Sequence, residues 1–175
     1  AIASPVMTEK EKPAYKVCAE GDYVFTKVTG RASYLNSAPL KEFLHRQVVA
    51  GGRRFAFDFG DCTSMDSTFL GILVGVALEL RKTEPSGSMA LLQLGERNFE
   101  VVRNLGIDRL VTVQAEAEEM QFGTNDVEMM ESNGDSSQPD EELIREAHLR
   151  LSELNEKNAR LFQDVVGFLQ KDQED

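Results

Sequence analysis

Apolar positions follow two different rhythms along this chain. Tyr15–Cys18 and Tyr23–Val28 are short runs of β-forming residues, and Glu20-Gly21-Asp22 between them reads as a hairpin turn. Gly30 to Asn36 reads as a loop. Leu40, Phe43, Leu44 and Val48 then recur at helical spacing, after the capping candidates Asn36 and Ser37 and with Pro39 in the first turn. Gly51-Gly52 ends that helix. Phe55-Ala56-Phe57-Asp58-Phe59 predicts a central strand ending at Phe59. Thr68 to Arg81 predicts a second helix, with Leu70, Leu73, Val74, Ala77, Leu78 and Leu80 apolar. Gly71 and Gly75 are expected to let it lie close to the sheet. Met89–Leu94 reads as another buried strand, Asn98–Leu105 as a short helix and Leu110–Val113 as a last strand. Strands separated by helices of this length need crossover connections. The expected fold is therefore α/β, a mostly parallel sheet with interleaved helices over residues 14–114.

A different pattern closes the chain. Ser137-Gln138-Pro139-Asp140 combines a capping Ser, a Pro at the first helical position and an acid in the first turn. Ile144, Ala147, Leu151, Leu154, Asn158, Leu161, Val165 and Phe168 then alternate in steps of three and four, a heptad seam with one polar member. Leu143, Phe162, Val166 and Leu169 widen the stripe, and Asn155 is placed to cap a second segment. The reading is a C-terminal amphipathic helix over 138–171. So broad a face must be buried, with docking on its own domain the first expectation. Pairing with a second copy as a homodimer and a heterologous partner are the alternatives.

Charge marks the boundary between the two parts. The 175 residues carry a net charge of −11. The stretch Ala115 to Ile144 holds ten acids and no Lys or Arg, so it accounts for −10 of that charge. With Asn133-Gly134-Asp135-Ser136-Ser137 inside it, 115–137 reads as a flexible acidic linker, within which Met120, Phe122, Met129 and Met130 retain the means to pack. Residues 1–13 read as a disordered N-terminus. Met7 looks like a natural start, so 1–6 read as a tag remnant.

Composition narrows the function. An acidic surface repels phosphate backbones and anionic headgroups, which argues against nucleic acid and membrane as partners. No apolar run approaches the roughly 20 residues that span a bilayer. Two cysteines, Cys18 and Cys62, and two histidines, His45 and His148, are too few for a metal or Cys–His site, so no cofactor is expected and a cytoplasmic setting is. Asp58, Asp61 and Asp66 are explained by turns and capping rather than by a cation. Ser67 has no Gly-x-Ser-x-Gly elbow and only a distant His45, so no enzyme is expected.

The informative segment joins the central strand to the second helix. Asp66 is placed as the N-cap, its carboxylate accepting free amides two or three residues on. Ser67 then sits in the first turn, at the positive end of the helix dipole. A phosphoryl group there would meet unsatisfied amides and add about −1.5 to −2 charge.

Met65-Asp66-Ser67-Thr68-Phe69-Leu70-Gly71 resembles the phosphorylation-site motif Met/Ile-Asp-Ser-Ser/Thr-Gly-Leu-Gly of the bacterial anti-anti-sigma factors, or anti-sigma factor antagonists. These are STAS-domain proteins (sulfate transporter and anti-sigma factor antagonist). Asp58-Phe59-Gly60 resembles the family's strand-end Asp-Leu-Ser/Gly, and the order of elements from about 14 to 113 fits that fold. The resemblance implies a transcription regulator that binds a serine-kinase anti-sigma factor. It is switched off by phosphorylation of Ser67 and reset by a serine phosphatase. It further implies that Asp58, Ser64, Met65, Asp66, Thr68 and Phe69 meet the partner. Phe69 departs from the usual Gly and is expected to bring a ring to the partner surface. The alternative is an adaptor subunit, never phosphorylated, in a larger assembly such as a lipid-transport ATPase or a stress-signalling scaffold.

Overall fold

A computed structural model describes residues 14–115, 127–130 and 140–174. The expectations for 1–13, for most of 115–137, and for Ser137 and Pro139 fall outside the described residues.

The chain opens with a hairpin. β1 (Tyr15–Glu20) pairs antiparallel with β2 (Tyr23–Ala32), and the two-residue turn between them has Gly21 at φ +60°, a conformation that favours glycine. α1 (Ala38–Val49) follows, with Ser37 at its N-cap and Pro39 in its first turn. Next come β3 (Arg54–Met65), α2 (Ser67–Arg81), β4 (Ser88–Leu92), α3 (Gly95–Asn104), a 3-10 turn (Ile107–Arg109) and β5 (Thr112–Gln114). β2, β3, β4 and β5 are mutually parallel, each step crossing over through a helical segment. The sheet runs in the order β5-β4-β3-β2-β1-β6.

β6 (Val127–Met130) lies inside the stretch expected to be a linker. It pairs antiparallel with β1, with Tyr15 opposite Met130 and Cys18 opposite Val127. Four residues of the acidic segment therefore belong to the sheet. β3 is also longer than its apolar run. It continues past Phe59 to Met65, because Asp61, Cys62, Ser64 and Met65 keep pairing with β2 across two register shifts.

Alternation along the strands sorts the two faces. Phe55, Phe57 and Phe59 point to the side covered by helices, where they meet Phe69, Leu70 and Leu73 of α2 and Leu40 and Leu44 of α1 in one core cluster. Ala56 points to the other side, with Phe25 and Leu92.

The C-terminal helix over 138–171 divides at Asn155, the residue placed to cap a second segment. α4 (Glu141–Leu154) is capped by Asp140, whose carboxylate accepts the Leu143 amide at 3.0 Å. Asn155 is extended, at φ −163° and ψ 166°, and its side chain accepts the Asn158 amide at 2.8 Å to start α5 (Glu156–Glu174). The break resets the helical phase, which corrects the seam. Leu143, Ala147 and Leu151 of α4 are buried in the same core as the sheet. In α5 the buried residues are Asn158, Phe162 and Leu169, whereas Leu161 and Phe168 stand 58% and 66% exposed.

The helical pair docks on the body, as first expected. Asn155 and Asn158 both donate their side-chain amides to the Leu105 carbonyl, at 3.1 and 2.8 Å, and satisfy an acceptor left over at the end of α3. Lys41 of α1 pairs with Glu146 of α4 at 2.6 Å. The glycines of α2 also need a correction. A Cβ on Gly71 would collide with the backbone carbonyl of Ala147, and one on Gly75 would touch the Arg150 side chain. They admit α4, not the sheet.

Candidate functional site

The site is the junction where β3 turns into α2. Asp66 has extended geometry and caps α2, one carboxylate oxygen accepting the Phe69 amide at 2.9 Å. The other accepts the Tyr34 amide at 2.8 Å, and the Asp66 amide itself donates to the Ala32 carbonyl at 3.0 Å. One residue thus caps the helix and ties down the loop after β2. That loop is braced from below by Asn36. Its side chain accepts the Tyr15 hydroxyl at 2.7 Å and donates to the Arg31 carbonyl at 2.7 Å. Burial pushes the Tyr15 phenol well above the usual tyrosine range, so it stays a neutral donor.

Ser67 is the first residue of α2, at the end where amides lack intrahelical partners. It is half-buried, and its hydroxyl lies 2.7 Å from Nε2 of His148 on α4. Nδ1 of that ring lies 2.7 Å from the Ile144 carbonyl, which can only accept. Nδ1 therefore carries a proton, and in the neutral imidazole Nε2 accepts and Ser67 donates. The ring is 6% exposed and meets Phe162 of α5 edge-on, 5.1 Å between centroids.

Sequence reasoning missed this histidine. The paired imidazole is His148, while His45 sits exposed beside Glu79 at 3.2 Å. The signal was present, since 144, 147, 148 and 151 share one face of a helix.

The other expected site residues divide. Ser64 and Met65, partly exposed, close β3 immediately before Asp66. Thr68 and Phe69 are corrections. Thr68 is 3% exposed and Phe69 0%, its ring 6.1 Å from those of both Tyr15 and Phe59. A residue at the second or third position of α2 faces the sheet, so Phe69 fills core instead of reshaping a surface. Asp58 is not brought to Ser67. By alternation it shares the face of Ala56, across the sheet from α2, and it accepts the Gly60 amide at 2.8 Å. Asp61 pairs with Lys27 at 3.1 Å. Among the described residues no cluster of three or more His, Cys, Asp or Glu side chains is placed to hold a metal, and no helix is long and apolar enough to cross a membrane. Burial pushes the Cys62 thiol up to about 11, which leaves it a poor nucleophile at neutral pH.

The site thus lies in a parallel α/β sheet fronted by an antiparallel hairpin, with an Asp-capped serine opening the helix after its central strand. The STAS domain family matches residues 16–120, and the chain belongs to that family. No curated protein matches it in sequence. Among solved structures it resembles the anti-sigma factor antagonist SpoIIAA in its unphosphorylated form, with a TM-score of 0.50 and 16% identity over 60% of this chain and 90% of that one. It also resembles a Thermotoga maritima protein assigned as an anti-sigma factor antagonist, with a TM-score of 0.52 and 20% identity over 57% of this chain and 85% of that one. These likenesses are likenesses of fold.

Proposed function

We propose that the chain is an anti-sigma factor antagonist, switched by phosphorylation of Ser67. Unphosphorylated, it binds a serine-kinase anti-sigma factor and frees the sigma factor. The kinase transfers a phosphoryl group from ATP to the Ser67 oxygen, the hydroxyl proton leaves, and ADP is released. A serine phosphatase restores the hydroxyl. The chain is the substrate of both enzymes and itself catalyses nothing.

The observation that carries this reading is the placement of Ser67. It is the hydroxyl at the first position of α2, directly after the capping Asp66. A phosphate there faces free amides and the positive end of the dipole. Its added charge of about −1.5 to −2 then opposes a partner bound at the same edge. Burial of Thr68 at 3% exposure favours Ser67 as the acceptor. Ser64, Met65 and Asp66 form the partner edge, together with Tyr34 and Leu35, which are 40% and 48% exposed.

Intact-mass measurement after incubation with the cognate anti-sigma factor kinase and ATP is expected to show one added phosphate on the native protein and none on Ser67→Ala. A phosphate mapped to Thr68, or none on the native chain, overturns the assignment. The adaptor reading is favoured by one observation, the engagement of Ser67 by His148. In that case the chain is a constitutive subunit, and kinase and ATP leave its mass unchanged in every variant.

A further inference from the structure

We infer that α4 and α5 form a removable cover over Ser67, so that docking of the helical pair and phosphorylation exclude each other. The inference rests on the phosphorylation reading and adds its regulation.

Three observations meet at one place. The Ser67 hydroxyl spends its proton on Nε2 of His148, a buried ring held on its far side by the Ile144 carbonyl and on its edge by Phe162. A kinase must bring the γ-phosphorus in line with the same oxygen, and the ring stands 2.7 Å away from it. Phosphoserine adds three oxygens where that ring packs, so the docked arrangement cannot reform around it. Second, the surface beneath α4 is built to receive a helix. Gly71 lets the Ala147 backbone lie directly on α2, and Gly75 leaves room for the Arg150 stem. Third, beside the apolar contacts of Leu143, Ala147 and Leu151, the cover is held by polar contacts that can be exchanged. These are the Lys41–Glu146 pair, two amide bonds to the Leu105 carbonyl and a Lys157 contact with the Asn104 carbonyl at 3.1 Å.

Release does not mean loss. From Met130, paired in β6, to Asp140 is ten residue steps, a reach of at most about 33–36 Å. So short a covalent connection keeps the effective concentration of the cover high. The kinase therefore competes with an intramolecular rival for one face of α2. Phosphorylation of the native chain is therefore slowed rather than abolished, and it proceeds through the fraction in which α4 is undocked.

The test uses the full chain carrying Ser67→Cys and Cys62→Ser, with labelling at position 67 read by peptide mass. A bulky maleimide and small methyl methanethiosulfonate are compared, and the ratio of their rates cancels any change in thiol acidity. Gly71→Leu puts a side chain where the Ala147 backbone lies, without a poor helix former in α2. It is expected to raise the ratio at least tenfold, with amides of residues 14–113 still protected. Should Gly71→Leu unfold the body, Ala147→Asp acts from the cover alone and is expected to give the same rise. A ratio unchanged in the folded variant overturns the cover. If the ratio rises, yet kinase and ATP add no phosphate to a Gly71→Leu chain with native Ser67, the phosphorylation reading falls and the cover stands.

Discussion

At the residue scale, Phe69 shows how a motif position can change purpose. The family's usual Gly leaves α2 free of a ring at this point. Here the ring lies fully buried between Tyr15 and Phe59. Phe69→Gly removes a packed aromatic side chain and adds glycine's helix cost, so stability should fall by about 3–5 kcal/mol or more in urea titration. A loss under about 1 kcal/mol would place the ring outside the core. Cys62 gives a second residue-scale expectation. Its thiol sits half-buried on β3 and is pushed up to about 11 from 9.0, because burial disfavours the thiolate. Since the folded-state value is the raised one, the protonated form is favoured by folding. Stability should therefore fall as pH rises from about 9 towards 11. Alkylation of Cys62 should keep accelerating across that same window, whereas an unfolded control levels off near 9. The capping role of Asp66 was legible because an Asp at a strand–helix junction has one economical use. Its second bond, to the Tyr34 amide, joins residues 32 apart in sequence, and no local pattern carries such information.

At the element scale, the seam of the C-terminal segment was legible on one side of Asn155 only. Ala147 and Leu151 were read as buried and are, because α4 is one uninterrupted helix. The same three-four count carried through Asn155 picks Leu161 and Phe168, which are exposed. A residue in extended geometry adds no helical rotation, so α5 starts on its own phase and buries Phe162 and Leu169, two of the residues read as widening the stripe. Leu151→Ala and Leu161→Ala should therefore behave differently. The first, fully buried against the body, should cost on the order of 2–5 kcal/mol locally. It should release α4 and α5 as fast amide exchange across 141–169 while the sheet stays protected. The second should change exchange little. Equal effects from the two would restore a continuous seam. Asn158 belongs at this scale as well. Sequence marked it as the polar member of an apolar stripe, and its amide reaches the Leu105 carbonyl in full burial. Sequence could not supply that acceptor, since the end of α3 is 53 residues away.

At the scale of the whole molecule, the order of strands and the parallel centre follow from alternating strands and helices joined by right-handed crossovers. The exception is β6. Its four residues lie in a stretch whose charge argued for a linker, and only their place against β1 makes them a strand. Local composition lost to an unpaired edge. β1 ends the hairpin with one row of backbone groups unmatched by β2, and an open edge of that kind recruits whatever chain is near. β6 covers it, while the opposite edge is the three-residue β5. Met129→Pro tests the arrangement, because proline donates no ladder bond and fits a paired strand poorly. It should strip β6, speed amide exchange in β1, and leave exchange in β3 and β4 unchanged. With β1 exposed, light scattering should rise with protein concentration in the variant and not in the native chain. Unaltered exchange in β1 would show that 127–130 does not hold the edge, and the acidic segment would then be a tether from end to end.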